Sequence, residues 1–246
     1  MTAPSPRSGH TSGPAAVAVA APVRVRDRLR AADDREVTVV HRGAQAVYLD
    51  LDGWCLGVLA STATAVPCAL RVAAPALGDL SAGDARVAGG VLHLAGTPLR
   101  VGRLVDVTVP PLDLPGPVTE LPADVVAARI GRGDGLTPYG DDVLCGWLAV
   151  HRAAGLATPA VDAAVRAALG RTTLLSATLL DCALHGEVVP EFAAYVAALG
   201  TDREQRATDT LARIGHSSGR GLLEGARLAL HQLGHRSGTH EGTPAA

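Results

Sequence analysis

The sequence predicts an α+β chain: an N-terminal antiparallel β sandwich or barrel-like domain followed by a C-terminal all-α bundle of about six helices. Three observations predict it. Between about Val37 and Val109 short β-branched or alternating runs are broken by Asp52-Gly53 and Gly89-Gly90, the marks of tight hairpins. Five prolines then fall between 110 and 122, which no helix interior or central strand accommodates. Beyond them the apolar period becomes helical, with prolines opening segments and glycines closing them.

Taken in order, Met1 to Pro22 is rich in Ala, Pro, Ser and Gly and reads as a disordered tail (1–22). The β-rich domain occupies 23–110, with strands expected at Val37 to Val40, Gln45 to Leu51, Trp54 to Leu59, Pro67 to Ala73, Ala85 to Ala88, Val91 to Ala95 and Leu99 to Val109. Residues 111–122 are the Pro-rich connector, 123–234 the helical domain and 235–246 a second disordered tail. Helices are expected from Thr137 or Asp141 to before Gly155, from Thr158-Pro159 to Gly170, and from Thr172 to His185. Three more run from Pro190 to Gly200, from a Thr201/Glu204 capping box to Gly215, and from Ser217 or Ser218 to Leu233.

Composition excludes several classes of function. At 246 residues, 48% hydrophobic and with a net charge of -2, the chain can bury a core and offers no basic footprint for nucleic acid. No apolar run approaches the roughly 18 residues that span a membrane. All 22 basic residues are arginine, so a Walker A lysine and a lysine Schiff base are ruled out. Cys55, Cys68, Cys145 and Cys182 are far apart in apolar contexts, which points to buried free thiols and a reducing, cytoplasmic location.

The chemistry concentrates in Gly131 to Gly146, Gly-Arg-Gly-Asp-Gly-Leu-Thr-Pro-Tyr-Gly-Asp-Asp-Val-Leu-Cys-Gly. With Thr137 as N-cap and Pro138 at the first helical position, the loop carrying Gly133 and Gly135 leads into a helix N-terminus, where free N–H groups favour an anion. Gly140 adds backbone freedom, and Asp134, Asp141 and Asp142 bring carboxylates to the same place. Asp141 and Asp142 are therefore candidates for a substrate amide or ammonium, or for a divalent cation. The plain alternative is that the acids complement the helix dipole and the glycines shape a turn.

Gly215-His216-Ser217-Ser218-Gly219 formally fits the G-x-S-x-G elbow of serine hydrolases, with Ser217 as nucleophile. The elbow needs a strand before the serine, whereas Thr201 to Ile214 is patterned as a helix, and no Asp follows Ser217. The segment otherwise offers Ser217 and Ser218 hydroxyls to an oxyanion and His216 as a proton carrier, or simply caps two helices. Thr172 and Ser176 lie one helical turn apart and form a third polar group.

The order Gly-Leu-Thr-Pro-x-Gly-Asp-Asp-x-Leu-x-Gly at 135–146, Thr-Thr-x-x-Ser at 172–176 and Gly-His-Ser-Ser-Gly at 215–219 resembles the AllH-type family, a subunit of oxamate carbamoyltransferase in allantoin breakdown, long described as a domain of unknown function. The resemblance extends from about Arg26 to Leu233, and the chain departs from the family's pattern at Asp134 and Tyr139. It implies carbamoyl transfer between carbamoyl phosphate or phosphate and a small amide or carboxylate such as oxamate or oxalurate, carried out with partner subunits. On residue chemistry, Gly133, Gly135, Thr137, Ser217 and Ser218 are the expected donors to the anionic substrate, with Gly140, Thr172 and Ser176 beside them. Asp141 and Asp142 would hold an amide or a metal, and His216 would move the proton. A noncatalytic anion-binding or assembly subunit is the competing class, and a serine hydrolase the third.

Overall fold

The computed structural model describes residues 15–114 and 119–234. The stretches 1–14 and 235–246 of the expected tails, and 115–118 of the connector, lie outside the described residues.

Eight strands close a barrel: β1 (Val17–Pro22), β2 (Arg35–Arg42), β3 (Ala46–Asp50), β4 (Cys55–Leu59), β5 (Ala69–Val72), β6 (Ala85–Ala88), β7 (Val91–Leu94) and β8 (Thr97–Val105). They follow the order β1-β5-β4-β3-β2-β6-β7-β8, and β8 returns to β1. Seven of them are the strands that the alternation and turn signals predict. The Asp52-Gly53 hairpin is tight, with both residues at positive φ (55° and 72°) and Leu51 and Trp54 exchanging backbone hydrogen bonds, as a type I′ turn requires.

Two features differ from the expectation. Residues 17–22 belong to the barrel as β1 and not to a tail, and they run on into helix α1 (Val23–Ala31). Alanine has weak strand propensity and hides β1 in the sequence, yet Val19 and Ala21 are buried between β5 and β8. The barrel is also mixed, since β1 pairs with β8 and β4 with β5 in parallel.

The helical region comprises α2 (Ala123–Arg129), α3 (Tyr139–Ala153), α4 (Pro159–Ala168), α5 (Leu174–Leu184), α6 (Pro190–Ala198), α7 (Glu204–Ala212) and α8 (Ser218–Gln232). Six of these are predicted by their caps; the short α2, directly after Pro122, is the addition. Trp147, Leu148, Phe192, Leu211 and Ala226 are among the buried residues of this core. No described helix is long and apolar enough to cross a membrane, and all four cysteines are buried and free.

Two contacts position the site. Helices α3 and α8 meet backbone to backbone, for a Cβ on Gly146 would lie 2.1 Å from the Leu222 carbonyl oxygen and one on Gly225 only 1.8 Å from that of Val143. The barrel is fastened to α5: the Cys55 N–H donates to Thr178 Oγ1 at 2.8 Å, and Arg24 of α1 pairs with Asp181 at 2.6 Å and Glu187 at 3.0 Å. Trp54 Nε1 also donates to Asp181, at 3.2 Å. Residues Leu175 and Cys182 of α5 join the barrel's apolar cluster, so α5 is shared by both halves.

Candidate functional site

Asp141 sits in the first turn of α3 and is fully buried. Its Oδ1 accepts the Gly131 N–H at 2.8 Å. Its Oδ2 accepts from Ser176 Oγ at 2.7 Å and from the Thr172 hydroxyl. Three donors satisfy a carboxylate that burial would otherwise penalise. Gly131 is required there, with φ of 76° and a would-be Cβ 2.4 Å from the Arg171 carbonyl oxygen. Thr173 adds a second tie: it caps α5 by accepting the Ser176 N–H at 3.1 Å and donates its own hydroxyl to the Leu136 carbonyl at 2.5 Å. Asp141, Thr172 and Ser176 thus knit the glycine loop to α5, and both Asp141 oxygens already have protein partners.

The loop amides are used internally as well. Gly131 N–H goes to Asp141, Gly140 N–H to the Arg132 carbonyl at 2.8 Å, and the Asp141 and Asp142 N–H groups to the Pro138 carbonyl at 3.0 and 3.2 Å. The amides of Gly131, Gly140, Asp141 and Asp142 are therefore spent on holding the loop and the first turn of α3. Gly133 and Gly135 are exposed, and Gly140 is buried with no room for a Cβ beside the Arg129 carbonyl oxygen. None of these glycines lines the cavity described next.

A cavity of about 250 Å³ opens between the barrel and the helices. The barrel side supplies Tyr48, Thr64, Val66 and Pro67, and the helical side supplies mainly Leu175, Leu179, Phe192, Ile214 and Leu222. Its polar end is Thr137, Asp142 and Ser218, with Glu187 also on the wall. Thr137 Oγ1 and Ser218 Oγ share a hydrogen bond of 2.8 Å, which joins the first sequence motif to the third. Two hydroxyls bring two protons and their mutual bond uses one; the other can go to the neighbouring Asp142 or to a ligand.

Asp142 is 4% exposed, and its Oδ2 has no hydrogen-bond partner among the described residues. Burial raises its pKa to about 7, the Asp141 charge adds to the rise, and the nearby Ser218 hydroxyl offsets part of it. Glu187 is raised in the same direction by burial, against the pull of Arg24. A carboxyl that titrates near neutrality at the polar end of an apolar cavity can accept from an N–H group or exchange a proton there.

The remaining candidates lie elsewhere. His216 is exposed and outside the cavity, and its carbonyl accepts from Arg220 Nη2 at 2.9 Å. Ser217 holds the N-cap position of α8 without a side-chain cap bond and does not line the cavity. The element before it is the helix α7, not the strand that a nucleophile elbow needs. Asp134 is exposed and Tyr139 donates to Glu224 at 2.6 Å, so neither of these departures from the family pattern reaches the cavity. Among the described residues no group of three or more His, Cys, Asp or Glu side chains is placed to hold a metal.

Sequence reasoning missed the barrel wall, Tyr48 above all, and Glu187. Glu187 follows the α5 C-terminus, where Thr108 forms a β-bridge with it and the Val188 N–H bonds the Val107 carbonyl at 2.8 Å. That contact is tertiary and leaves no local pattern.

Residues 129–230 match AllH, the oxamate carbamoyltransferase subunit. The AllH match contains all three motifs and the whole α3, α5 and α8 arrangement up to Leu230, and it does not include the barrel. No curated protein and no solved structure matches the chain.

Proposed function

We propose that this chain is a subunit of a carbamoyltransferase and that the cavity between the barrel and the helices binds the carbamoyl-bearing substrate. The observation that carries this reading is the orphan Asp142 Oδ2 beside the Thr137–Ser218 hydroxyl pair. A carbamoyl group presents an NH₂ donor and a carbonyl acceptor on one carbon; the carboxylate would take the first and the spare hydroxyl proton the second.

In the direction from a ureido substrate, the bond between the carbamoyl carbon and the substrate nitrogen breaks and one to an oxygen of hydrogen phosphate forms. The departing nitrogen takes up a proton. Asp142 in its protonated form would supply it and regain a proton from hydrogen phosphate as the new C–O bond forms. Among the described residues no arginine lines the cavity, so the phosphate charge would fall to residues of partner subunits.

The test is reconstitution with the partner subunits of the complex, following phosphate-dependent formation of carbamoyl phosphate. Asp142→Asn should lower turnover by about a hundredfold or more, the usual contribution of a general acid or base, while the variant remains folded. Turnover unaffected by Asp142→Asn would remove the catalytic reading and leave a noncatalytic assembly subunit.

A further inference from the structure

Beyond the transfer reaction itself, the lining of the cavity restricts what the carbamoyl group is attached to. Beyond its polar end the wall is Leu175, Leu179, Phe192, Ile214 and Leu222, with Val66 from the barrel loop. At about 250 Å³ the space is just below the range of drug-sized pockets, which begins near 300 Å³. Both charged groups on its wall are carboxylates, Asp142 and Glu187, and only Glu187 has a cationic partner, Arg24. A ligand whose far end is a carboxylate would lose its hydration against leucine and phenylalanine and would face two acids. Its desolvation would go uncompensated.

We infer that the cavity takes an uncharged primary amide or ureido compound with a branched apolar body, the NH₂ on Asp142, the carbonyl on the Thr137–Ser218 pair and the body against Leu175, Leu179 and Phe192. The inference rests on the reading that this cavity is the substrate site, and it replaces a small dicarboxyl-type acceptor such as oxamate by an apolar one. The helix starts at α3 and α8 frame the polar end. The buried Asp142 Oδ2, which has no hydrogen-bond partner among the described residues, marks that end as a ligand contact, since a carboxylate oxygen closed off from water needs a donor.

The test uses the full chain and titration calorimetry with acetamide, propionamide, isobutyramide and isovaleramide. Each added CH₂ buried against the leucines should tighten binding about fourfold, and isovalerate at pH 8 should bind at least tenfold more weakly than isovaleramide. Ser218→Ala should weaken isovaleramide at least fivefold; because this change removes a single oxygen it should fold, and its melting curve verifies that. A flat series, tighter binding of oxamate or isovalerate than of isovaleramide, or no binding of any amide would each overturn the inference. Absence of transfer by the reconstituted complex would sink the enzymatic reading while leaving the amide series standing, so the two failures are distinguishable.

Discussion

Thr137 and Ser218, 81 positions apart in the chain, share a 2.8 Å hydrogen bond between their hydroxyls at the polar end of the cavity. Thr137 ends the glycine loop just before α3, and Ser218 opens α8. The bond can form because α3 and α8 pack with no side chain between Gly146 and Leu222 or between Gly225 and Val143. Each glycine lets a backbone approach that any Cβ would block.

The hydroxyl pair should matter more to ligand binding than to stability. A neutral hydrogen bond contributes about 1 kcal/mol net, so Thr137→Val and Ser218→Ala should each cost about that much in urea denaturation. In titrations with isovaleramide the two variants should lose affinity, and the double variant should lose less than the sum, because each single change already breaks the shared bond. Additive losses would show that the hydroxyls act independently.

Asp141 should behave in the opposite way. It accepts from Gly131, Thr172 and Ser176, and Asp141→Asn would replace one acceptor oxygen by a donor facing donors. Loss of about 2–4 kcal/mol is expected for disrupting a buried, fully bonded carboxylate, measured by denaturant unfolding. Ser176→Ala should cost about 1 kcal/mol by the same measurement. An Asp141→Asn variant as stable as the parent would show that the three bonds contribute nothing net.

This pair of aspartates shows how far the sequence could be read. Adjacent helical residues point about 100° apart, so Asp141 and Asp142 must face different surroundings, but which one meets a ligand depends on what packs on either side. The glycine loop and α5 claim Asp141, and the cavity receives Asp142. Hairpins and helix ends were legible because Asp52-Gly53, Pro159, Pro190 and Gly200 act locally. Strand β1 was not, since its alanines gain their place only between β5 and β8. Tyr48 and Glu187 were hidden for a related reason, because the cavity exists only once the barrel docks on α5.

The glycines of α8 connect packing to the site. A Cβ on Gly225 would fall 1.8 Å from the Val143 carbonyl oxygen, and one on Gly221 would fall 2.7 Å from Asp142 Cβ. Gly225→Ala should therefore force α3 and α8 apart and cost more than about 3 kcal/mol, the range of severe overpacking. Gly221→Ala should cost less, because its closest contact is 2.7 Å rather than 1.8 Å, but Asp142 Cβ moves only with its own backbone, so the change should displace Asp142 and weaken isovaleramide binding. Equal stability losses with unchanged binding in Gly221→Ala would contradict the placement of Asp142 at the cavity.

Asp142 makes the sharpest pH prediction. Its folded pKa is raised to about 7 from 3.8, chiefly by burial, so the folded protein holds this proton in a range where the unfolded chain has released it. Stability contributed by the neutral carboxyl is complete at low pH, declines as pH rises from about 4 through about 7, and is lost above that. Asp142→Asn stays neutral throughout and should flatten this part of the profile, melting at least about 3 °C higher than the parent at pH 8. The two proteins should converge near pH 4. Ligand should act in reverse: an amide NH₂ is best accepted by the ionised form, so isovaleramide should stabilise the parent more at pH 8 than at pH 5.5. Parallel melting profiles for parent and variant between pH 4 and 8 would show that Asp142 is not held in a low-dielectric cavity.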